Sequence, residues 1–304
     1  MTEQVHPALL CSYVYLEAFL NFKTRYYYRN WMMDSGAYSA WNSGKKINID
    51  SYIRTCQLLL KRDSTLVEII ALDVINDGKV SKEVTAKQSL KNALYMKGKG
   101  LEVIPVFHFG EDYGILREYC AAFDKVGLSC RFGELVDDSL KFYDQCFSRE
   151  WPKKFHSFGW MEDNVALDYP FHSLDSVSWR LQPSAFGYWR KFGAIHSRGQ
   201  QDLRSQVKYY LDLEAKVQVK WKKQMKELKA ENSPTLRLAT SGDFQSVRAF
   251  NHASLPDKIG DSNYASTILF QSSKDITTEF VDHFKNEGFH RDPRADIQPN
   301  LEKK

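Results

Sequence analysis

Cysteine is scarce in this chain. The 304 residues hold five, Cys11, Cys56, Cys120, Cys130 and Cys146, with no CxxC pair and none beyond residue 146. A disulfide framework needs a denser set, and thiolate zinc needs soft ligands close together, so both are excluded. Cys56 and Cys120 fall in helical patterns and read as small buried thiols. Also missing is any uncharged apolar stretch near the ~18 residues that span a bilayer. Glu3, His6 and Glu17 stand where a secretory signal wants a basic start and an apolar centre. A cytoplasmic protein with no membrane partner is therefore expected. Internal repeats and low-complexity tracts are absent too.

What is present is an ordinary globular composition, 43% hydrophobic and 26% charged, with a net charge of +4. That charge is uneven. Residues 190–229 carry eleven Lys/Arg against four Asp/Glu, a local +7, which leaves the rest of the chain at −3. A basic block on a mildly acidic protein points to a polyanion partner, or to a solvated helix face.

Short apolar runs alternate with helix-period segments. Strands are expected at 12–16, 31–33, 67–72, 103–107, 126–130, 155–158, 171–174 and, more faintly, 192–195. Between them lie amphipathic patterns. Tyr52, Ile53, Cys56, Leu59 and Leu60 share one face after the capping residues Asn48 and Asp50, and Leu90, Ala93 and Leu94 share another that Gly98 and Gly100 end. Two more faces are Ile115, Leu116, Tyr119, Ala122 and Phe123, then Leu140, Tyr143 and Phe147. Nearly unbroken apolar strands alternating with helices predict a parallel sheet buried on both faces. The expected fold class is α/β, a TIM-like (β/α)8 barrel over residues 1–200 with a helical, basic C-terminal region over 201–304. That region begins with a long helix bearing Leu203, Val207, Tyr210, Leu211, Val217, Trp221, Met225 and Leu228 on one stripe. Lys216, Lys220 and Lys223 fall on one exposed row and Lys222, Lys226 and Lys229 on another. The polar, Pro-containing end from about residue 288 is expected to be poorly ordered.

The strand candidates, lined up, share a feature. Asp34, Asp73, His108 and Asp175 each follow an apolar run, at the point where its strand should end. In a parallel barrel those ends converge on one face, where barrel enzymes keep their active sites. Each residue also has a plainer reading. Asp-Ser-Gly at 34–36 is a turn signal, and an Asp after a strand often caps the next helix. Together they would bring three carboxylates and an imidazole to one mouth. Clustered carboxylates push their pKa values apart, so one stays protonated while another is ionised. Such a pair suits chemistry at a sugar anomeric carbon.

These residues carry a resemblance. Met33-Asp34-Ser35-Gly36-Ala37-Tyr38-Ser39 resembles the DSGG(F/Y)Q segment of the tRNA-guanine transglycosylase superfamily, and Ala71-Leu72-Asp73 its second-aspartate strand. Residues 106–110 occupy the place of its VQG segment, and His156-Ser157-Phe158-Gly159 resembles its glycine-containing sixth strand. Ser173-Leu174-Asp175-Ser176-Val177-Ser178-Trp179 sits where that family has its nucleophile. Order and spacing agree over about residues 30–180 and look most like the short, phage-type 7-deazaguanine DNA transglycosylases. The resemblance implies that Asp175 attacks the sugar C1′ and that Asp34 is the general acid/base. It gives Asp73 the guanine N1/N2 edge, and it makes Tyr38 and Phe158 the rings that sandwich the base. Ser35, His108 and Gly159 complete the implied base-binding set. Guanine in DNA would be exchanged for a free 7-deazaguanine base such as preQ0, with Lys216, Lys220, Lys222, Lys223 and Lys226 on the DNA backbone.

The tRNA enzymes of that superfamily carry a Cys-x-Cys-x-x-Cys…His zinc site after the nucleophile. No cysteine follows Asp175, so neither zinc nor another cofactor is expected. The paired glycines of the fifth strand are replaced by Gly127-Leu128-Ser129-Cys130, and Glu134 aligns loosely with a carboxylate near the base's 7-substituent. Three other readings remain open: RNA base exchange without the zinc subdomain, a barrel nucleosidase or glycoside hydrolase, and a non-catalytic nucleic-acid-binding barrel.

Overall fold

The computed structural model describes residues 6–25, 27–130, 136–181, 188–191, 194–197, 203–227 and 235–240; Glu134 and the segment from 288 onward lie outside them. Eight strands form one all-parallel sheet. They are β1 (Ala8–Ser12), β2 (Asn30–Asp34), β3 (Leu66–Ile69), β4 (Val106–His108), β5 (Lys125–Ser129), β6 (Lys154–Phe158), β7 (Ser173–Ser176) and β10 (Thr235–Thr240). The order across the sheet is β3-β2-β1-β10-β7-β6-β5-β4. The sheet is curled, and Ile70 and Ile104, just outside its edge strands β3 and β4, form one isolated β-bridge. There Ala71 N–H donates to Ile104 O at 2.9 Å and Ile104 N–H to Ile69 O at 2.8 Å.

The crossovers are helical: α1 (Leu16–Phe22), α2 (Ala37–Asn42), α3 (Ile49–Arg62), α4 (Lys82–Gly98), α5 (Tyr113–Ala122), α6 (Val136–Glu150), α7 (Asp163–Asp168), α8 (Ser178–Leu181) and α9 (Leu203–Glu227). Their starts follow capping chemistry. The Asn48 side chain accepts from Ser51 N–H at 3.0 Å, and Asp112 accepts from Gly114 N–H at 2.7 Å. α4 stops where Gly100 takes up φ 82°, a left-handed conformation that suits glycine. Cys56 and Cys120 are buried thiols, as their helical positions suggested. No helix among the described residues is long and apolar enough to cross a membrane.

Two strand expectations are corrected. The first strand is Ala8–Ser12 rather than 12–16, because Tyr13–Tyr15 turn as a 3-10 helix into α1. The segment 192–195 is not the eighth strand. Ala194 and Ile195 belong to β9 (Ala194–Ser197), antiparallel to β8 (Tyr188–Lys191) in a separate two-stranded sheet, and Phe192 lies outside the described residues. The eighth strand is β10, which pairs with both β1 and β7. The sheet therefore takes in a strand from beyond residue 200, after the long helix.

Period-2 alternation sorts each strand's side chains between the two faces. Leu9, Cys11, Trp31 and Met33 pack outward with the helices in the main core. Leu10, Met32, Ile70, Ile104 and Val106 form a second, smaller cluster within the curl. Two residues before this apolar layer, at the strands' N-terminal end, sits a charged plug. Glu68 meets Arg237 at 2.7 Å, Lys125 at 2.6 Å and His172 at 3.3 Å, and Arg237 also donates to Asn30 at 2.9 Å. Two residues after the apolar layer come Asp34 and His108, at the strands' C-terminal end.

Helix α9 runs against the strands. Glu214 accepts from the Leu236 N–H at the start of β10 (2.9 Å) and pairs with Arg29, just ahead of β2 (2.7 Å). Residues past Glu214 therefore lie at or below the strands' N-terminal end, opposite Asp34 and His108. Trp221 packs there and donates to Ala166 O at 3.2 Å.

Candidate active site

The cleft at the C-terminal ends of the strands has a volume of about 590 Å³. It is lined by all eight residues that sequence reasoning assigned to catalysis or base binding: Asp34, Ser35, Tyr38, Asp73, His108, Phe158, Gly159 and Asp175. Asp34 and His108 are the last residues of β2 and β4, and Asp175 is third of four in β7. Asp73 comes four residues after β3.

Gly36 makes the turn after β2. Its φ is 76°, and a Cβ there would lie 2.8 Å from Val14 Cγ2 and 2.9 Å from Ser12 Oγ, so only glycine fits without strain. The turn lets Gly36 N–H donate to Asp34 Oδ2 at 3.0 Å. Burial, with Asp73 and Asp175 nearby, pushes Asp34 up to about 7, against the Gly36 hydrogen bond. A carboxyl titrating there can give and take a proton near neutral pH.

Asp73 is held from two sides. Ser35 Oγ donates to its Oδ1 at 3.2 Å, and His108 Nε2 lies 3.0 Å from its Oδ2. The other face of His108 meets Glu111, with Nδ1 to Oε1 at 3.2 Å and the backbone N–H donating to Oε2 at 3.0 Å. Burial works against charge on this imidazole, but the bonds to Asp73 and Glu111 outweigh it and push it up to about 10. His108 is thus an imidazolium at neutral pH. Ser35 also accepts from Ala37 N–H at 3.2 Å, which makes it a brace between the β2 turn and Asp73.

Asp175 is buried. Its Oδ1 accepts from Gly159 N–H at 3.2 Å and lies 3.2 Å from His156 Nε2. Gly159 bends at φ 71° to present that N–H. The Phe158 ring reaches into the cleft across Gly127, where a Cβ would fall 2.3 Å from Phe158 Cε2. On α2, Tyr38 and Trp41 stand at the rim, 55% and 43% exposed, with ring centroids 5.8 Å apart.

Sequence reasoning missed Glu111, His156 and Trp41. Each had a signal: Glu111 sits three residues after His108, and His156 sits two before Phe158, on the same face of β6. Trp41 lies one helical turn past Tyr38.

None of the lysines expected on a DNA backbone whose side chains are described lines this cleft. Lys216, Lys222 and Lys223 are exposed on the second half of α9, toward the opposite end of the sheet. Lys220 is half-buried, donates to Leu167 O and lies 3.7 Å from Asp168. The Lys226 side chain and Lys229 are outside the described residues. Among the described residues, Lys82 is the lysine that lines the cleft, its Nζ donating to Phe109 O at 3.1 Å.

No family model matches this chain, and no curated protein matches it.

Proposed function

We propose that this protein exchanges guanine in DNA for a 7-deazaguanine base such as preQ0, through a covalent glycosyl intermediate on Asp175. One observation carries the reading: Asp34 of β2, Asp175 of β7 and Asp73, in the segment after β3, meet in a single cleft beside Tyr38 and Phe158. The consecutive strand order and the Ile70–Ile104 bridge support a TIM-like (β/α)8 barrel, whose C-terminal mouth is where such chemistry is housed. The order of the motifs along the chain agrees.

In this reading the target nucleotide leaves the stack and enters the cleft, whose volume suits one nucleotide. An ionised Asp175 attacks C1′. The C1′–N9 bond breaks and its electron pair leaves with guanine, which takes a proton from Asp34. The incoming base then gives its N9 proton to the Asp34 carboxylate and attacks C1′ from the vacated side. The C1′–O bond to Asp175 breaks, its electron pair returns to the carboxylate, and Asp34 is again protonated. Two displacements retain the anomeric configuration, and splitting the exchange lowers each barrier. The Asp34 value near 7 suits a group that must act as acid and then as base. Asp73, paired to the His108 imidazolium, remains an acceptor for guanine's N1–H and N2–H. The aromatic rim at Tyr38 and Trp41 offers stacking surface to bases, and the DNA path lies over the cleft end rather than along α9.

Mass spectrometry of nucleosides tests this, using duplex and single-stranded DNA, and tRNA, incubated with a panel of 7-deazaguanines. Incorporation into DNA is expected, and it should vanish in Asp175→Asn while DNA binding persists. Incorporation only into tRNA would move the reading to RNA. Release of free base or sugar without insertion would move it to hydrolysis.

A further inference from the structure

The chemistry proposed for Asp175 leaves unused a histidine directly behind it. His156 lies on β6 with none of its surface exposed, its backbone in register with Ser173 of β7. Its Nε2 is 3.2 Å from Asp175 Oδ1, and its Nδ1 is 2.8 Å from Ser173 Oγ, itself fully buried. An ionised carboxylate can only accept, so the Nε2 position must carry the hydrogen in that pair. The Ser173 hydroxyl can donate to Nδ1 and so hold the ring in that tautomer. The Gly159 N–H falls on the same oxygen, Oδ1, at 3.2 Å. Both donors therefore grip one oxygen and leave Oδ2 outside the pair.

We propose that His156, held by Ser173, is a positioning residue that fixes Oδ1 of Asp175, presents Oδ2 to the sugar and hastens release of the glycosyl group. The inference rests on the reading of Asp175 as nucleophile. A hydrogen bond to a charged oxygen is about twice as strong as one to a neutral oxygen. As the nucleophile Asp175 reacts as a carboxylate, whereas in the glycosyl ester Oδ1 is a neutral carbonyl oxygen. The Nε2–H donor thus favours the free carboxylate over the ester. It assists the second displacement, in which the C1′–Oδ2 bond breaks and its electron pair returns to Asp175. Losing the donor lengthens the life of the adduct without a matching slowing of its formation, because a carboxylate with fewer donors is the stronger nucleophile. A ring that only filled space would not change the balance between the two steps.

The experiment follows formation and decay of the protein–DNA adduct on denaturing gels in a single turnover, with preQ0 added to start decay. In His156→Leu, decay should slow by about 10- to 100-fold, the rate equivalent of losing one charge-assisted bond, so that adduct accumulates. His156→Gln keeps an N–H donor near the Nε2 position and should restore fast decay. Ser173→Ala leaves the ring but frees Nδ1, and should slow decay by a few-fold. Thermal melts identify any variant that fails to fold; if His156→Leu does, the Gln and Ser173 variants decide. Decay at the unaltered rate in folded His156→Leu, or in Ser173→Ala, would overturn the inference and leave Asp175 as nucleophile. Absence of both exchange and adduct in the unaltered protein would instead overturn the reading of Asp175, and the role of His156 with it.

Discussion

An aspartate that titrates near 7 keeps its proton through a pH range in which an unfolded chain has lost its own. Between about pH 4 and 7 the native state therefore binds more protons than the unfolded one, and stability falls as pH rises across that window. Asp34→Asn cannot ionise and still offers an oxygen to Gly36 N–H. It should be more stable than the unaltered protein at pH 8, by about 1–2 kcal/mol, with the advantage shrinking toward pH 5. Thermal melts at the two pH values check this; an Asn variant less stable at both would mean that the ionised carboxylate is welcome in the cleft. His108 has the other sign. Its folded value near 10 exceeds the unfolded 6.5, so its contribution is complete below about 6.5 and is lost as pH rises through 10. His108→Gln should flatten the decline in stability between pH 7 and 10, as read by urea midpoints. The acids of this site were legible in the chain because each follows an apolar run. Glu111 and His156 show only a spacing to His108 and Phe158 in the sequence, because they matter through bonds that folding creates.

At the scale of the element, strands β5 and β6 show how one missing side chain shapes the site. Gly127 faces the interior in register with His156, and the Phe158 ring occupies the space its Cβ would take, at 2.3 Å. A rigid aromatic ring does not yield cheaply even when half-buried, so Gly127→Ala must drive Phe158 off its rotamer or shift a strand. A loss of about 1–3 kcal/mol in stability is expected, together with several-fold weaker binding of guanine by titration calorimetry, since the displaced ring is the one proposed to stack on the base. Unchanged guanine affinity would remove Phe158 from the base pocket. The sequence shows a glycine there without showing why. The strands themselves were readable to the extent that they are apolar. β2, β5 and β6 fall within a residue of their expected positions, while Tyr13-Val14-Tyr15 imitated a strand and proved to be a turn. β10 was hidden because Arg237 interrupts its apolar run, and a buried arginine inside a sheet makes sense only beside Glu68.

The same pair governs the molecule as a whole, because it closes the end of the sheet opposite the cleft. Glu68 and Arg237 are both under a tenth exposed. Burial opposes charge on Glu68, yet His172, Arg237 and Lys125 hold its carboxyl well below the usual range. The stability it supplies is present above about pH 4.5 and is lost as pH falls through its depressed value. Removing one member of a buried ion pair strands the other, a change that costs about 3–5 kcal/mol, whereas replacing both with apolar residues of similar size costs far less. Glu68→Gln should therefore melt many degrees lower, while Glu68→Met combined with Arg237→Met recovers much of the loss. The apolar layer of Leu10, Met32, Ile70, Ile104 and Val106 lies between plug and cleft on the side of β1 to β4, whereas on the other side Arg237 of the plug stands in register with Asp175 on the neighbouring strand β7. At a temperature below both melts, base-exchange turnover per folded molecule should accordingly fall in the double variant, which removes the buried guanidinium from the strand beside Asp175. Turnover equal to that of the unaltered protein would show that the carboxylates of the cleft depend on the plug for no more than a folded sheet to stand on.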